Sequence, residues 1–411
     1  MMMKKLLLTM FLVCGISTFA QRTCHTDAKL AALKANDPAF ATYHREIMEF
    51  IQNPANQQLR TNAANQPAVV VTIPVVVHVL YKNPTQNISD AQIDSQIAIL
   101  NQDFRAMNTD YGNVPAAFSS FGADMEILFC KATQTPTGVA TTGITRKQVP
   151  FTFVFEDQYF QTAGQPAWNP TKYLNMWVGR FTDQQLLGFA YLPSSAGAAY
   201  DGLCIGDQYF GNTGTATAPF NLGRTGTHEI GHYFGLNHPW GNNCSSNDGV
   251  ADTPATNGPY YGCPSFPNNG SACSNTTNGS MFMNYMDYVD DACMILFTAG
   301  QKTVMQNALA GPRASLLNNN NGCTSLSLND TAALQAIAVY PNPVSQYFMI
   351  TSPHVTVDMV EVYNVNGQLV KTQKLEDVNN KVYIDELESG VYFLRIFGEG
   401  KFLKSDKVVK K

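Results

Sequence analysis

Charge is scarce in this sequence. Asp, Glu, Lys and Arg make up only 14% of its 411 residues, against about 25% in an ordinary soluble domain. The formal net charge is −5, which removes the electrostatic footprint of a nucleic-acid or anionic-membrane binder. No C-x-x-C occurs anywhere, which excludes zinc ribbons and thioredoxin-type redox motifs. Beyond the first twenty positions no apolar run approaches the length of a bilayer span, so no transmembrane segment is expected there. Asn, Gln, Ser and Thr fill the place of the missing charge, which suits a secreted protein with long polar loops. The chain is long enough for two or three domains at about 150 residues each.

What is present begins with an export signal. Lys4 and Lys5 precede an apolar run from Leu6 to Phe19 and a small residue at Ala20; residues 1–20 read as a secretory signal peptide. Cys14 falls inside it. Export permits disulfides among the eight remaining cysteines. Cys244, Cys263, Cys273 and Cys293 cluster in one loop-rich stretch, and sequence alone allows them three pairings.

Residues 21–60 are polar and weakly helical, ending at Arg60. Ala68–Tyr81 is β-branched and apolar enough for a strand buried on both faces. Ser89 and Gln92 form a predicted capping box, and Ile93, Ile97, Leu100 and Phe104 recur at helical spacing. Met125–Cys130 and Leu174–Val178 are strand candidates, and a second capping box, Thr298 with Gln301, opens a helix. This alternation predicts an α/β (α+β) domain over 61–317. Residues 318–331 read as a linker. Over 332–411 about seven short alternating strands, with a turn at Asn366-Gly367, predict a small antiparallel β-sandwich.

The chemistry concentrates in "HEIGHYFGLNH", residues 228–238. On a helix, His228 and His232 project from one face and can bind one zinc ion. Glu229 sits beside the first ligand, placed to take a proton from water without ligating. Gly235 lets the chain leave the helix through a left-handed conformation, so that His238 can return as a third ligand. Three protein ligands leave a position open, as in catalytic rather than structural zinc sites. A closed structural zinc would need a fourth ligand, and no other histidine shares a motif with these three.

The eleven residues match H-E-x-x-H-x-x-G-x-x-H, and "MNYMDYVDDACM" follows downstream. Together they resemble the metzincin metalloproteases. The resemblance implies a zinc-site helix, a Met-turn at Met286, and Tyr288 as an aid to the developing oxyanion. "IPVVVHVLY", "SDAQIDSQIAILNQDFR", "THEIGHYFGLNHPWG", "ADTP" and "FTAGQ" extend the likeness to the pappalysin-type metzincins over roughly residues 60–320. That narrower resemblance implies the pairings Cys244–Cys273 and Cys263–Cys293. It implies calcium near Asp248 and Thr253, where a polar turn is the plainer reading. It also implies that Asp291 walls a pocket for Arg or Lys at P1′, where the alternative is a solvated turn charge. Cys24 would fill the open zinc position in a zymogen whose pro-segment, 21–60, ends at Arg60; the alternative is a disulfide to Cys323. Cys130 and Cys204 are left to pair or to stay free.

"VYPNPV", "VEVYNVNGQLV", "LESGVYFLRI" and the closing "KVVKK" resemble the sorting domain of the type IX secretion system. A fibronectin- or immunoglobulin-like binding module would share the same physics. The expectation is therefore a secreted zinc endopeptidase acting on protein and peptide substrates and exported by type IX machinery. A zinc-containing secreted adhesin is the rival.

Overall fold

A computed structural model describes residues 22–57, 70–241, 244, 248–274, 277–318, 323, 337–352, 357–365, 368–375, 380–398 and 401–411. The expected signal peptide, Arg60 and the Asn366-Gly367 turn lie outside these. The chain forms two compact units, Met1–Cys323 and Thr324–Lys411.

The first unit begins with β1 (Thr23–Cys24), α1 (Thr26–Asn36) and α2 (Pro38–Gln52). Asp37 caps α2 by accepting from the Ala39 amide, with Pro38 at the first helical position. β2 (Val71–Tyr81) is the expected strand, buried from Ile73 to Leu80. α3 (Asp90–Asp103) follows a Ser89 cap. Only half of that predicted capping box forms. Ser89 accepts from the Gln92 amide, but the Gln92 side chain is spent on the Asp207 and Phe210 carbonyls and the Thr215 hydroxyl.

Next come β3 (Ile127–Lys131), β4 (Ile144–Gln148), a short α4 (Phe155–Gln158), β5 (Leu174–Gly179), β6 (Leu186–Ala190) and β7 (Leu203–Gly206). They build one sheet in the order β1-β6-β7-β5-β2-β3, with β4 also on β2. Every pairing is parallel except β6 with β7. The reversed β6 is the last strand of this sheet before the two-residue β1 covers its edge.

α5 (Arg224–Tyr233) carries the histidine motif, and all ten of its residues are buried. α6 (Ala299–Ala310) has both halves of the Thr298–Gln301 capping box. One core cluster joins α2, α3, α5, α6 and the sheet through Ile51, Val77, Leu100, Ile230, Met286 and Val304. A second cluster, with Trp177, Tyr159, Phe155 and Phe189, belongs to β5, β6 and α4.

Three disulfides staple the unit. Cys244–Cys273 and Cys263–Cys293 are the pairs the resemblance implied. Cys130 pairs with Cys323, while Cys24 and Cys204 are free thiols. The Cys24–Cys323 alternative is therefore wrong, because Cys323 is fastened to the end of β3. Cys323 also falls inside the stretch read as linker, and it belongs to the first unit.

The second unit holds β8 (Ala338–Tyr340), β9 (Tyr347–Thr351), β10 (Met359–Tyr363), β11 (Leu369–Lys374), β12 (Lys381–Tyr383), β13 (Gly390–Gly398) and β14 (Lys401–Lys410). They form two antiparallel sheets, β11-β10-β13-β14 and β12-β9-β8. The side chains of Phe348, Ile350, Val360, Val362, Leu394 and Ile396 fill the core. Along β9, β10 and β13 alternate residues point inward, the period-2 pattern that a two-layered sandwich requires.

Candidate metal centre

The site is built on α5 and what lies beneath it. Gly231 has no side chain because none fits: a Cβ there would stand 2.4 Å from the Met286 sulfur. Met286 is fully buried and packs up against the helix at this point. The helix stops at Gly235, whose φ of +101° is open to glycine and strained for any L side chain. A Cβ there would also strike Ile51 at 2.4 Å. The chain reverses, and His238 comes back to face the first two histidines.

Each imidazole is oriented through its Nδ1. His228 Nδ1 lies 2.8 Å from the Tyr285 carbonyl, His232 Nδ1 2.7 Å from the Leu236 carbonyl, and His238 Nδ1 2.9 Å from the Asp27 carboxylate. That arrangement leaves the three Nε2 atoms as free electron pairs. They converge, with 3.0 Å from His232 to His238 and 3.3 Å from His238 to His228. The Cys24 sulfur joins them, and the four ligand atoms lie within 4.8 Å of one another. Burial drives His228 far below the usual imidazole range and His232 down to about 3, the charges of neighbouring histidines adding to it. Uncharged imidazoles are what a metal needs.

Glu229 is 1% exposed, and burial pushes its carboxyl up to about 8. Its Oε2 is 3.5 Å from both the Cys24 sulfur and the Thr26 hydroxyl. Gly188 of β6 brings bare backbone against it: a Cβ at 188 would be 2.8 Å from Glu229 Oε1. Burial, and then the Glu229 charge, push the Cys24 thiol well up. The Tyr288 hydroxyl accepts from the Cys24 amide at 3.2 Å and donates to the Cys24 carbonyl at 3.4 Å. Trp240 lies flat on His238, centroids 4.5 Å apart and planes within 4°, and meets Tyr288 edge-on at 4.8 Å.

Asp291 is not a solvated turn charge: its exposure is 0%. One carboxylate oxygen accepts from the Leu222 and Arg224 amides, at 2.8 and 3.2 Å, at the start of α5. The other takes the guanidinium of Arg22, itself 1% exposed and 5.1 Å from the Phe220 ring centroid. Asp248 and Thr253 are together, the Thr253 hydroxyl 2.9 and 2.8 Å from the two Asp248 oxygens. Burial raises Asp248 to about 7.

Sequence reasoning missed Arg22, Asp27, Gly231 and Trp240. Arg22 and Asp27 flank Cys24 at distances of two and three residues, and that spacing was the available signal. Gly231 lies inside the motif at a position the signature leaves free.

Residues 157–310 match the family model described as pregnancy-associated plasma protein-A, and residues 338–411 match that of the secretion system C-terminal sorting domain. An extracellular metalloprotease of Pyricularia oryzae is 30% identical over 261 residues, 62% of this chain and 80% of the relative. The chain belongs to the pappalysin-type metalloproteases. A second extracellular metalloprotease, from Sordaria macrospora, is 41% identical over 135 residues, which span 31% of this chain and 46% of that relative. Among solved structures, a promirolysin mutant of Tannerella forsythia aligns with TM-score 0.66 and 40% identity, covering 74% of this chain and all (100%) of that one. Mature mirolysin in complex with a cleaved peptide aligns with TM-score 0.58 and 45% identity, over 61% and 97%. This pappalysin relative thus carries a metzincin α/β unit and a type IX sorting tail, and is a secreted protein. The family implies zinc, and the convergent Nε2 atoms of three pre-oriented imidazoles fit it. No helix among the described residues is long and apolar enough to cross a membrane.

Proposed function

We propose that this pappalysin relative is a zinc endopeptidase that cleaves before Arg or Lys and is made as a zymogen held shut by residues 21–60. The observation that carries the proposal is the pairing of two contacts made by one short strand. Arg22 is buried against Asp291 while Cys24, two residues on, points its sulfur into the three-histidine cluster. The segment thus offers the enzyme the side chain its pocket favours and a thiol where a substrate carbonyl would react. β1 lies parallel on the edge of β6, Thr23 opposite Leu186 and, after a one-residue shift of register, Cys24 opposite Gly188. Extended substrates add to exposed strand edges in this way.

His228, His232 and His238 hold the metal, with Met286 beneath them. When bound, zinc polarises the scissile carbonyl and acidifies water. Glu229 takes the water's proton and passes it to the leaving amine. Tyr288, which bonds the Cys24 carbonyl in this state, hydrogen-bonds the developing oxyanion. Asp291 is a P1′ selector whose second oxygen is already fixed by backbone amides, leaving the first for a guanidinium. Asp248 and Thr253 are the calcium ligands in this reading. The support is a buried carboxylate with a raised pKa and the nearby Val250 carbonyl, which accepts from Thr253.

The test is a cleavage-site profile of the activated full chain by mass spectrometry. Arg and Lys should dominate P1′, 1,10-phenanthroline should stop hydrolysis, and Glu229→Ala should abolish it with folding and zinc content intact. A folded, zinc-loaded chain that cleaves nothing would point instead to a secreted adhesin. An Asp291→Ala enzyme that still prefers Arg would refute the pocket assignment.

A further inference from the structure

Arg22 is one of two cations that the N-terminal segment sets down along β6. The other is Lys29, one turn into α1. Its ammonium donates to the Glu156 carbonyl at 2.8 Å, stands 3.6 Å from the Asp157 carboxylate and lies 4.9 Å from the centroid of Phe189. All three partners belong to the catalytic unit, on α4 and β6. The Lys29 side chain is 25% exposed, while Phe189 is wholly buried beneath it, with Tyr159, Phe181 and Tyr191 around the ring.

The place of this contact along the cleft follows from register. The segment passes Leu186 at Thr23, beside Arg22, and Gly188 at Cys24. It then reaches Ala190, whose amide donates to the Thr26 hydroxyl at 2.9 Å. Phe189 stands one step past Gly188, on the side away from Arg22. The side chain of Gly188 would point at Glu229, so its neighbour Phe189 points to the opposite face of the strand. A substrate strand along β6 would therefore meet the Phe189 rim on the far side of the metal from Asp291.

We infer that the Phe189 ring, the Glu156 carbonyl and the Asp157 carboxylate form a second specificity site, on the non-primed side, that takes a lysine or arginine side chain of the substrate. An aromatic face attracts a cation laid over it, and a carbonyl and a carboxylate supply directional acceptors. The segment fills both cation sites at once, so its removal frees both. The preferred substrates are peptides with basic residues on both sides of the cut bond. This rests on the proposed P1′ role of Asp291, because that role defines which side is non-primed.

The experiment uses the activated full chain and a peptide library with Arg fixed at P1′ and each position from P4 to P1 varied. The expected result is that Lys or Arg at one of these positions raises kcat/KM about three- to tenfold over Ala, as befits a half-exposed cation contact. Asp157→Lys should erase that gain and favour Asp or Glu there, leaving the P1′ preference untouched. Asp157→Asn should fall between the two. A P1′ preference with no basic enrichment at any non-primed position would overturn the inference, as would enrichment that survives Asp157→Lys. If the basic enrichment responds to Asp157 while P1′ shows no preference, the second site stands and the Asp291 reading fails.

Discussion

Removing the Arg22 side chain should loosen the N-terminal segment by an amount the structure bounds. Breaking a buried ion pair at one partner costs about 3–5 kcal/mol, mostly because the other charge is stranded. Asp291 is only partly stranded in Arg22→Ala, since the Leu222 and Arg224 amides still hold one of its oxygens. Arg22 also keeps its Nε and Nη1 buried without partners, a standing cost that the substitution relieves. Both corrections lower the figure, to about 2–4 kcal/mol, or roughly a 30- to 900-fold rise in the fraction of molecules with the segment lifted. Cys24 reports that fraction directly. It is one of two free thiols among the described residues, and the other, Cys204, is fully buried in β7. In a Glu229→Ala background, where self-cleavage is blocked, the rate of Cys24 alkylation should scale with opening. Cys24→Ser supplies the blank. An Arg22→Ala rate within about twofold of the parent would refute the reasoning. So would the same acceleration from Arg22→Ala in a chain already lacking the Asp291 carboxylate, since the pair would then carry no coupling.

Other outcomes follow from the same geometry. Ile51 is wholly buried on Gly235 beside Val304, so Ile51→Ala should weaken docking of α2 by about 2–5 kcal/mol, read as faster Cys24 alkylation in the Glu229→Ala background. His44 lies 2.9 Å from the Ser194 hydroxyl, and burial, aided by the Lys34 charge, lowers it to about 4. The released segment takes up a proton near pH 6.5 that the docked one refuses. Docking is then complete above about pH 6.5 and weakens as pH falls towards 4, and His44→Gln should flatten that part of the Cys24 labelling profile. Gly231→Ala should displace the Met286 sulfur, lowering thermal stability by about 1–3 kcal/mol and cutting kcat more than KM; unchanged calorimetry and kinetics would contradict the packing described. Deleting residues 338–411 should leave the protein in the periplasm, detected by fractionation and blotting.

The convergence of the three histidines was legible in advance because one helical turn and one glycine fix three side chains locally. His228, His232, Gly235 and His238 need nothing from the rest of the chain to be read. The strand at β2, the Thr298 cap and the seven-stranded tail were equally local. What stayed hidden depends on distant partners. Nothing near Arg22 says that it will find Asp291, 269 residues away, and nothing near Gln92 says that its amide will brace a loop rather than its own helix end. Cys130 and Cys323 are alike in having no neighbouring mate, so their bond becomes readable only when β3 and the end of the first unit are seen side by side. Gly231 was visible but mute, since its meaning lies in the sulfur beneath it.

The Cys130–Cys323 bond closes a covalent ring 193 residues in separation, and the histidines, Glu229, Met286 and Asp291 all lie within it. In the chain-entropy picture a ring of that size disfavours the unfolded state by about 5 kcal/mol. Its second consequence concerns damage. A single nick anywhere in the long loop after His238 leaves both fragments chained to the same frame, and the two smaller disulfides lie inside that ring as well. A protease outside the cell, surrounded by its own kind, can thus be cut once and remain one molecule.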